Sequence, residues 1–144
     1  MKEHNIPVTC TFLGKGAKSD RTEQLLLAIG LGFKGFVSEA VEKADLILPV
    51  GYYIAEFVPE KWNPTGNKKI VHSDFVPAEV YTRYDPEIEV IGDISGTLWE
   101  LNQRFKDEKL EFDGTWYRPI RQIILDGIES YKLKENGILK FPAC

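Results

Sequence analysis

The chain has 144 residues, the size of one domain, and its 43% hydrophobic and 28% charged content excludes a disordered polypeptide. Its 18 basic and 22 acidic residues give a net charge of −4, which speaks against a nucleic-acid surface. No apolar run approaches the roughly 20 residues of a membrane helix, and no signal-peptide core opens the chain. Cys10 and Cys144 stand at opposite ends, which argues against a disulfide scaffold or a four-cysteine zinc site and points to the cytoplasm. His4 and His72 are too few for a histidine-rich metal site.

Ile6 to Leu13, with Val8, Thr9 and Thr11, reads as a short buried strand stopped by Gly14-Lys15-Gly16. Leu25 to Ile29 is apolar throughout, and so short a run is open to strand or helix. A glycine-rich loop follows at Gly30 to Gly35. Phe36, Val37, Ala40, Val41 and Ala44 then recur at helical spacing, with Glu39, Glu42 and Lys43 opposite. Asp45 to Gly51 is continuously apolar, like a parallel strand covered on both faces, with Pro49 near its end. Tyr52 to Asn67 is a long connection. Lys68 to Ser73 is a second strand of this kind, and Pro77 is suited to open a short helix at Ala78 to Tyr81. Glu87 to Gly92 is a third, expected to bury Ile88, Val90 and part of Ile91. Asp93 is a good N-cap for a helix of about three turns carrying Ile94, Leu98, Leu101 and Phe105. Lys106 to Gly114 is charged and linker-like. Pro119 is suited to open a last helix with Ile120, Ile123, Ile124, Ile128 and Tyr131 on one side, ended by Asn136-Gly137. This order of elements predicts an α/β fold, a layered parallel sheet flanked by helices.

Gly30-Leu-Gly-Phe-Lys-Gly35 matches GxGxxG and precedes a helix, as a dinucleotide fingerprint does. The next strand ends in Pro-Val-Gly, with no carboxylate for a ribose, so a packing turn is the plainer reading and an NAD-type oxidoreductase the sharper one. Asp74 and Asp93 each lie just past the carboxyl end of a strand, where open α/β sheets bind ligands. A ligand contact is open to both, against an Asx-turn for Asp74 and a helix cap for Asp93. His72 sits inside an apolar strand and reads as a packed, hydrogen-bonded residue. Cys10 reads as a small buried hydrophobe. Trp62, Trp99 and Trp116 read as core or interface bulk.

The segments Ala44-Asp-Leu-Ile-Leu-Pro-Val-Gly51, Lys69-Ile-Val-His-Ser-Asp-Phe-Val-Pro-Ala-Glu-Val80 and Val90-Ile-Gly-Asp-Ile94 occur in this order. With Ile6-Pro-Val-Thr9, Leu13-Gly-Lys-Gly-Ala17 and Ser38-Glu-Ala-Val41, the set resembles the central domain of thiamine-diphosphate-dependent enzymes of the acetolactate synthase and 2-oxo-acid decarboxylase superfamily. The resemblance covers about residues 5–106. It implies a Rossmann-like, three-layer parallel α/β domain that holds FAD in acetolactate synthases, an adenine nucleotide such as ADP in some relatives, and no nucleotide in many. Thiamine diphosphate and magnesium belong to two flanking domains of such enzymes, so no catalytic or metal-binding residue is expected here.

The resemblance implies a candidate nucleotide wall of Leu13, Gly14, Gly30, Gly32, Gly51, Tyr52, Asp74, Asp93 and Ile94. FAD-binding members usually continue the strand ending at Gly51 with arginine-bearing sequence, whereas this chain continues Tyr52-Tyr-Ile-Ala-Glu-Phe57. The resemblance also implies that the chain begins after the family's first strand and helix, and divides it into a partial central domain (1–108) and a linker with a helix leading toward a third domain (109–144). A sheet lacking that unit exposes an edge, which predicts self-association or pairing with the flanking domains. Three roles follow: the non-catalytic scaffold domain of a larger enzyme, a stand-alone nucleotide-binding subunit or adaptor, and an oxidoreductase using Gly30 to Gly35.

Overall fold

The computed structural model describes residues 4–17, 19, 21–29, 36–80 and 82–134, with backbone alone at 36 and 131–134. The Gly30 to Gly35 motif and Asn136-Gly137 lie outside the described residues. The elements run β1 (Val8–Cys10), β2 (Leu25–Ala28), α1 (Phe36–Lys43), β3 (Leu46–Ile47), α2 (Pro59–Trp62), β4 (Lys69–Asp74), β5 (Ile88–Ile91), α3 (Ile94–Asp107) and α4 (Arg118–Lys134). All described pairings within the sheets are parallel, and helices flank them, as an α/β order of elements requires. The run Leu25 to Ile29, open to either state from its sequence, is a strand.

The strands fall into two sheets, β1-β2 and β3-β4-β5. In the second, β4 is central. Leu46 and Ile47 pair with Lys69 and Ile70 on one side, and Val71 to Asp74 pair with Ile88 to Ile91 on the other. Side chains alternate along a strand, so Ile70 and His72 share a face. Both are buried, Ile70 to 1% exposure.

One apolar cluster joins the elements. Leu26 comes from β2 and Ile29 from just beyond it, Val37 and Ala40 from α1, Ile70 from β4, and Ile120 and Ile124 from α4. Phe57, Trp62, Tyr84 and Tyr117 fill it from the connections and α2. Helix α1 owes its form to this face and to an exposed Lys43–Glu39 pair at 2.7 Å, one turn apart. Its C-terminal end is closed from the residue just before β4: Lys68 Nζ donates to Ala44 O at 2.6 Å and to Glu42 O. Asn63 closes α2, its N–H donating to Pro59 O at 2.7 Å. Its side chain donates to Arg83 O and accepts from Lys68 N–H, which fastens α2 to the approach to β4.

The N-terminal segment docks on the far end of α3. The His4 ring meets Phe105 edge-on at 5.3 Å, and Phe105 meets Phe112 at 5.2 Å. A Cβ at Gly114 would lie 2.8 Å from Asn5 Cβ, so only glycine permits this approach.

Several expectations are corrected. Residues 78–80 of the expected helix are not helical, and the Ala78 N–H is held by Glu89 Oε2 at 2.9 Å. Ile88, Val90 and Ile91 are exposed, Ile88 to 56%, because β5 closes the sheet at one edge and its side chains are left uncovered. Leu46 is exposed as well, so β3 is not covered on both faces. Trp99 is 61% exposed on α3, which contributes no buried residue, so Trp99 is not core bulk. Cys10 is half-buried rather than buried. In α4, Ile120 and Ile124 face the core while Ile123 and Ile128 are exposed.

Candidate functional site: the carboxyl rim of the parallel strands

Parallel strands present their carboxyl ends together, and that rim is where such sheets place ligands. The Gly51 N–H donates to Ser73 O at 3.0 Å, and the Gly92 N–H donates to Asp74 O at 2.9 Å. These bonds set the ends of β3, β4 and β5 side by side. Gly51 has φ +57°, a left-handed backbone that suits glycine, and a Cβ there would meet Ile94 Cδ1 at 3.4 Å. The structure therefore brings Gly51, Asp74, Asp93 and Ile94 together.

The two carboxylates are engaged locally. Asp93 Oδ1 accepts from Gly96 N–H at 2.6 Å and caps α3, as its sequence position predicts. Asp74 Oδ1 accepts from Phe75 N–H at 2.6 Å, a bond within the turn that leaves β4.

The turn after β1 is fastened to another connection. The Leu13 N–H donates to Glu56 Oε1 at 3.0 Å, which ties it to the connection after β3. Leu13 itself is exposed. Gly14 has ordinary room for a Cβ, 3.5 Å from Thr11, so no steric need for glycine exists there. Gly30 and Gly32 lie outside the described residues. Glu56, for which the sequence offers no carboxylate partner, holds the Leu13 N–H instead; only the fold reveals this contact, since 43 positions separate the two.

Tyr52 turns away from the rim. Its hydroxyl donates to Phe57 O and accepts from Trp62 Nε1–H at 3.1 Å. The ring stacks beside Tyr84 at 5.4 Å, with Trp62 edge-on to Tyr84 at 6.0 Å. His72 completes the cluster: Nε2 lies 3.0 Å from Val76 O, and Nδ1 lies 2.8 Å from Tyr84 Oη. A carbonyl only accepts, so Nε2 carries the proton, and the neutral ring's Nδ1 accepts from the Tyr84 hydroxyl. Burial, reinforced by Tyr52 and the charges of Asp74 and Glu89, pushes the Tyr84 phenol well above its ordinary pKa. Burial raises Tyr52 too, opposed by the Trp62 hydrogen bond. His72 is thus a satisfied core residue, as its strand position predicts.

The carboxylates of Asp74 and Asp93 at the described rim repel a diphosphate, and the segment 52–57 that continues from Gly51 holds no arginine to offset them. Nor does Asp93 fit a magnesium–diphosphate site, because its carboxylate is turned to its own helix.

The fold defines a parallel α/β domain, its sheets flanked by helices. The chain belongs to the thiamine pyrophosphate enzyme central-domain family, whose model matches residues 1–101. Among curated proteins it is 33% identical over 99 residues to acetolactate synthase of Bacillus subtilis (strain 168), covering 68% of this chain and 17% of the relative. It is 42% identical over 66 residues to the catabolic acetolactate synthase of Raoultella terrigena, covering 46% and 12%. It is 31% identical over 121 residues to the chloroplastic acetolactate synthase 2 of Zea mays, covering 81% and 19%. The chain thus spans less than a fifth of the length of these relatives. No helix among the described residues is long and apolar enough to cross a membrane.

Proposed function

We propose that this chain serves as the central, non-catalytic scaffold domain of a cytoplasmic acetolactate-synthase-like enzyme. Its role is to hold flanking domains that bind thiamine diphosphate and magnesium. The observation that carries this reading is the pairing of central-domain membership with a rim whose two aspartates bond to their own turn and helix rather than standing free for chemistry. The exposed side chains of β5 and the uncovered face of α3 are the surfaces that meet the rest of the enzyme or a second copy of the chain.

A nucleotide-binding subunit or adaptor is the second reading. The meeting of Gly51 with Ile94 across the end of β4 favours it, because it gathers the backbone ends against which FAD or ADP would lie.

Two measurements decide. The purified chain, supplied with thiamine diphosphate, magnesium and a 2-oxo acid, is expected to give no turnover; turnover would overturn the scaffold reading. FAD and ADP are then titrated while the melting temperature is followed. A ligand at 100 times its dissociation constant adds about 2.7 kcal/mol of stability. A rise of that size selects the nucleotide-binding reading, and none selects the bare scaffold.

A further inference from the structure

Strand β2 is interrupted in a way that β3, β4 and β5 are not. Val8 pairs with Leu25 and Cys10 with Ala28, so two steps along β1 match three along β2, and one residue is extra. The extra residue is Leu27, whose φ of +68° lies in the left-handed region. That region is costly for a bulky side chain, and β-bulges in parallel pairs are rare. Thr9 Oγ1 donates to Leu27 O at 2.8 Å and holds the carbonyl of the bulge. On either side the ladder closes: the Val8 N–H donates to Gln24 O and the Ile29 N–H to Cys10 O, each at 2.8 Å.

The bulge decides what enters the core. Side chains of a regular strand alternate, which would put Leu26 and Ala28 on one face and Ile29 on the other. The observed chain instead buries Leu26 to 2% and Ile29 to 7% in the same cluster and leaves Ala28 exposed. One extra residue at position 27 has reversed the alternation. Polar residues ordinarily forbid such a reversal, because the wrong register would bury them. Leu25 to Ile29 is apolar throughout, so neither register buries a polar side chain. The two arrangements trade one gain for another. The bulge buries isoleucine where the regular ladder would bury alanine, and it strains Leu27 where the regular ladder would relax it.

We propose that β2 is a two-register strand, a conformational switch in which the left-handed turn at Leu27 exchanges with a regular ladder and Ala28 replaces Ile29 on the core face. In the regular register Cys10 pairs with Leu27. The change advances the chain by one residue, about 3.3 Å, against β1. It also brings the Ile29 side chain out of the core. An apolar surface that contacts residue 29 therefore favours the regular register, since a ligand shifts an equilibrium by its differential affinity for the two states. The switch involves neither Gly51, Asp74, Asp93 nor Ile94, and it does not rest on the scaffold reading.

The test uses NMR of the full chain. Relaxation dispersion at Leu27, Ala28 and Ile29 is expected to reveal a minor state in which the Leu27 carbon shifts are those of extended backbone. Thr9→Val deletes the hydroxyl at nearly constant shape and is expected to raise the minor population roughly fivefold, the worth of one hydrogen bond. A double variant, Ala28→Ile with Ile29→Ala, keeps the composition and reverses the preference between registers. With a soluble paramagnetic agent added, its introduced isoleucine is expected to be protected and its introduced alanine broadened, with Leu27 extended. A broadened isoleucine beside a Leu27 that is still left-handed would overturn the proposal. So would flat dispersion profiles in both the parent and Thr9→Val, or a minor state with the shifts of an unfolded chain. Should the double variant not fold, the dispersion profiles decide.

Discussion

Tyr84 is 2% exposed, and its hydroxyl donates to His72 Nδ1 at 2.8 Å in the middle of the aromatic cluster. Tyr84→Phe preserves the ring but leaves that nitrogen buried without its donor, which costs about 1–3 kcal/mol; urea unfolding reads the loss directly. The same variant has a pH signature. The folded state holds the phenolic proton more tightly than the unfolded chain, whose tyrosines titrate near 10. Stability from this group is therefore complete below about pH 10 and falls as pH rises above it. The alkaline decline of the melting temperature is expected to be shallower in Tyr84→Phe than in the parent. At Asp93, replacement by alanine removes the Gly96 N–H acceptor and is expected to cost about 1 kcal/mol. Circular dichroism during thermal melting checks it, and Asp93→Asn, which still caps, should recover most of the loss.

At the scale of elements, legibility depended on whether the cause was local. Helix α1 was readable because Val37 and Ala40 carry its spacing and Glu39 and Lys43 its exposed side. Strand β4 was readable from the β-branched pair Ile70-Val71, although Lys69, His72, Ser73 and Asp74 leave it far from a continuous apolar run. The cap at Asp93 is local chemistry and was equally plain. The burial of β5 was not legible, since exposure is decided by what covers a strand and not by its own residues. Pro77 illustrates the same limit: the sequence permits a helix there, yet none forms, and the Ala78 amide is held instead by Glu89 of β5. The rim was half legible. Gly51, Asp74, Asp93 and Ile94 converge as their positions after strands imply, while Tyr52 was drawn into the core by Trp62 and the Phe57 carbonyl. In α4 the apolar spacing was legible, but which isoleucines it buries was not: Ile120 and Ile124 enter the core while Ile123 and Ile128 stay exposed.

For the molecule as a whole, the exposed apolar residues of β5 form an edge suited to pairing with another chain. If that edge drives self-association, Val90→Lys shifts sedimentation toward the monomer. The stability of the monomer should change by only about 0.5 kcal/mol, because the side chain is already exposed. A parent chain that sediments as a monomer at high concentration would remove the expectation. The division of the strands into β1-β2 and β3-β4-β5 has a consequence of its own. Among the described residues the halves are united by the side chains of one apolar cluster, to which α1 and α4 contribute, and not by a backbone ladder. Truncating Ile120 or Ile124 would therefore loosen both sheets at once, since that cluster is the rivet between them.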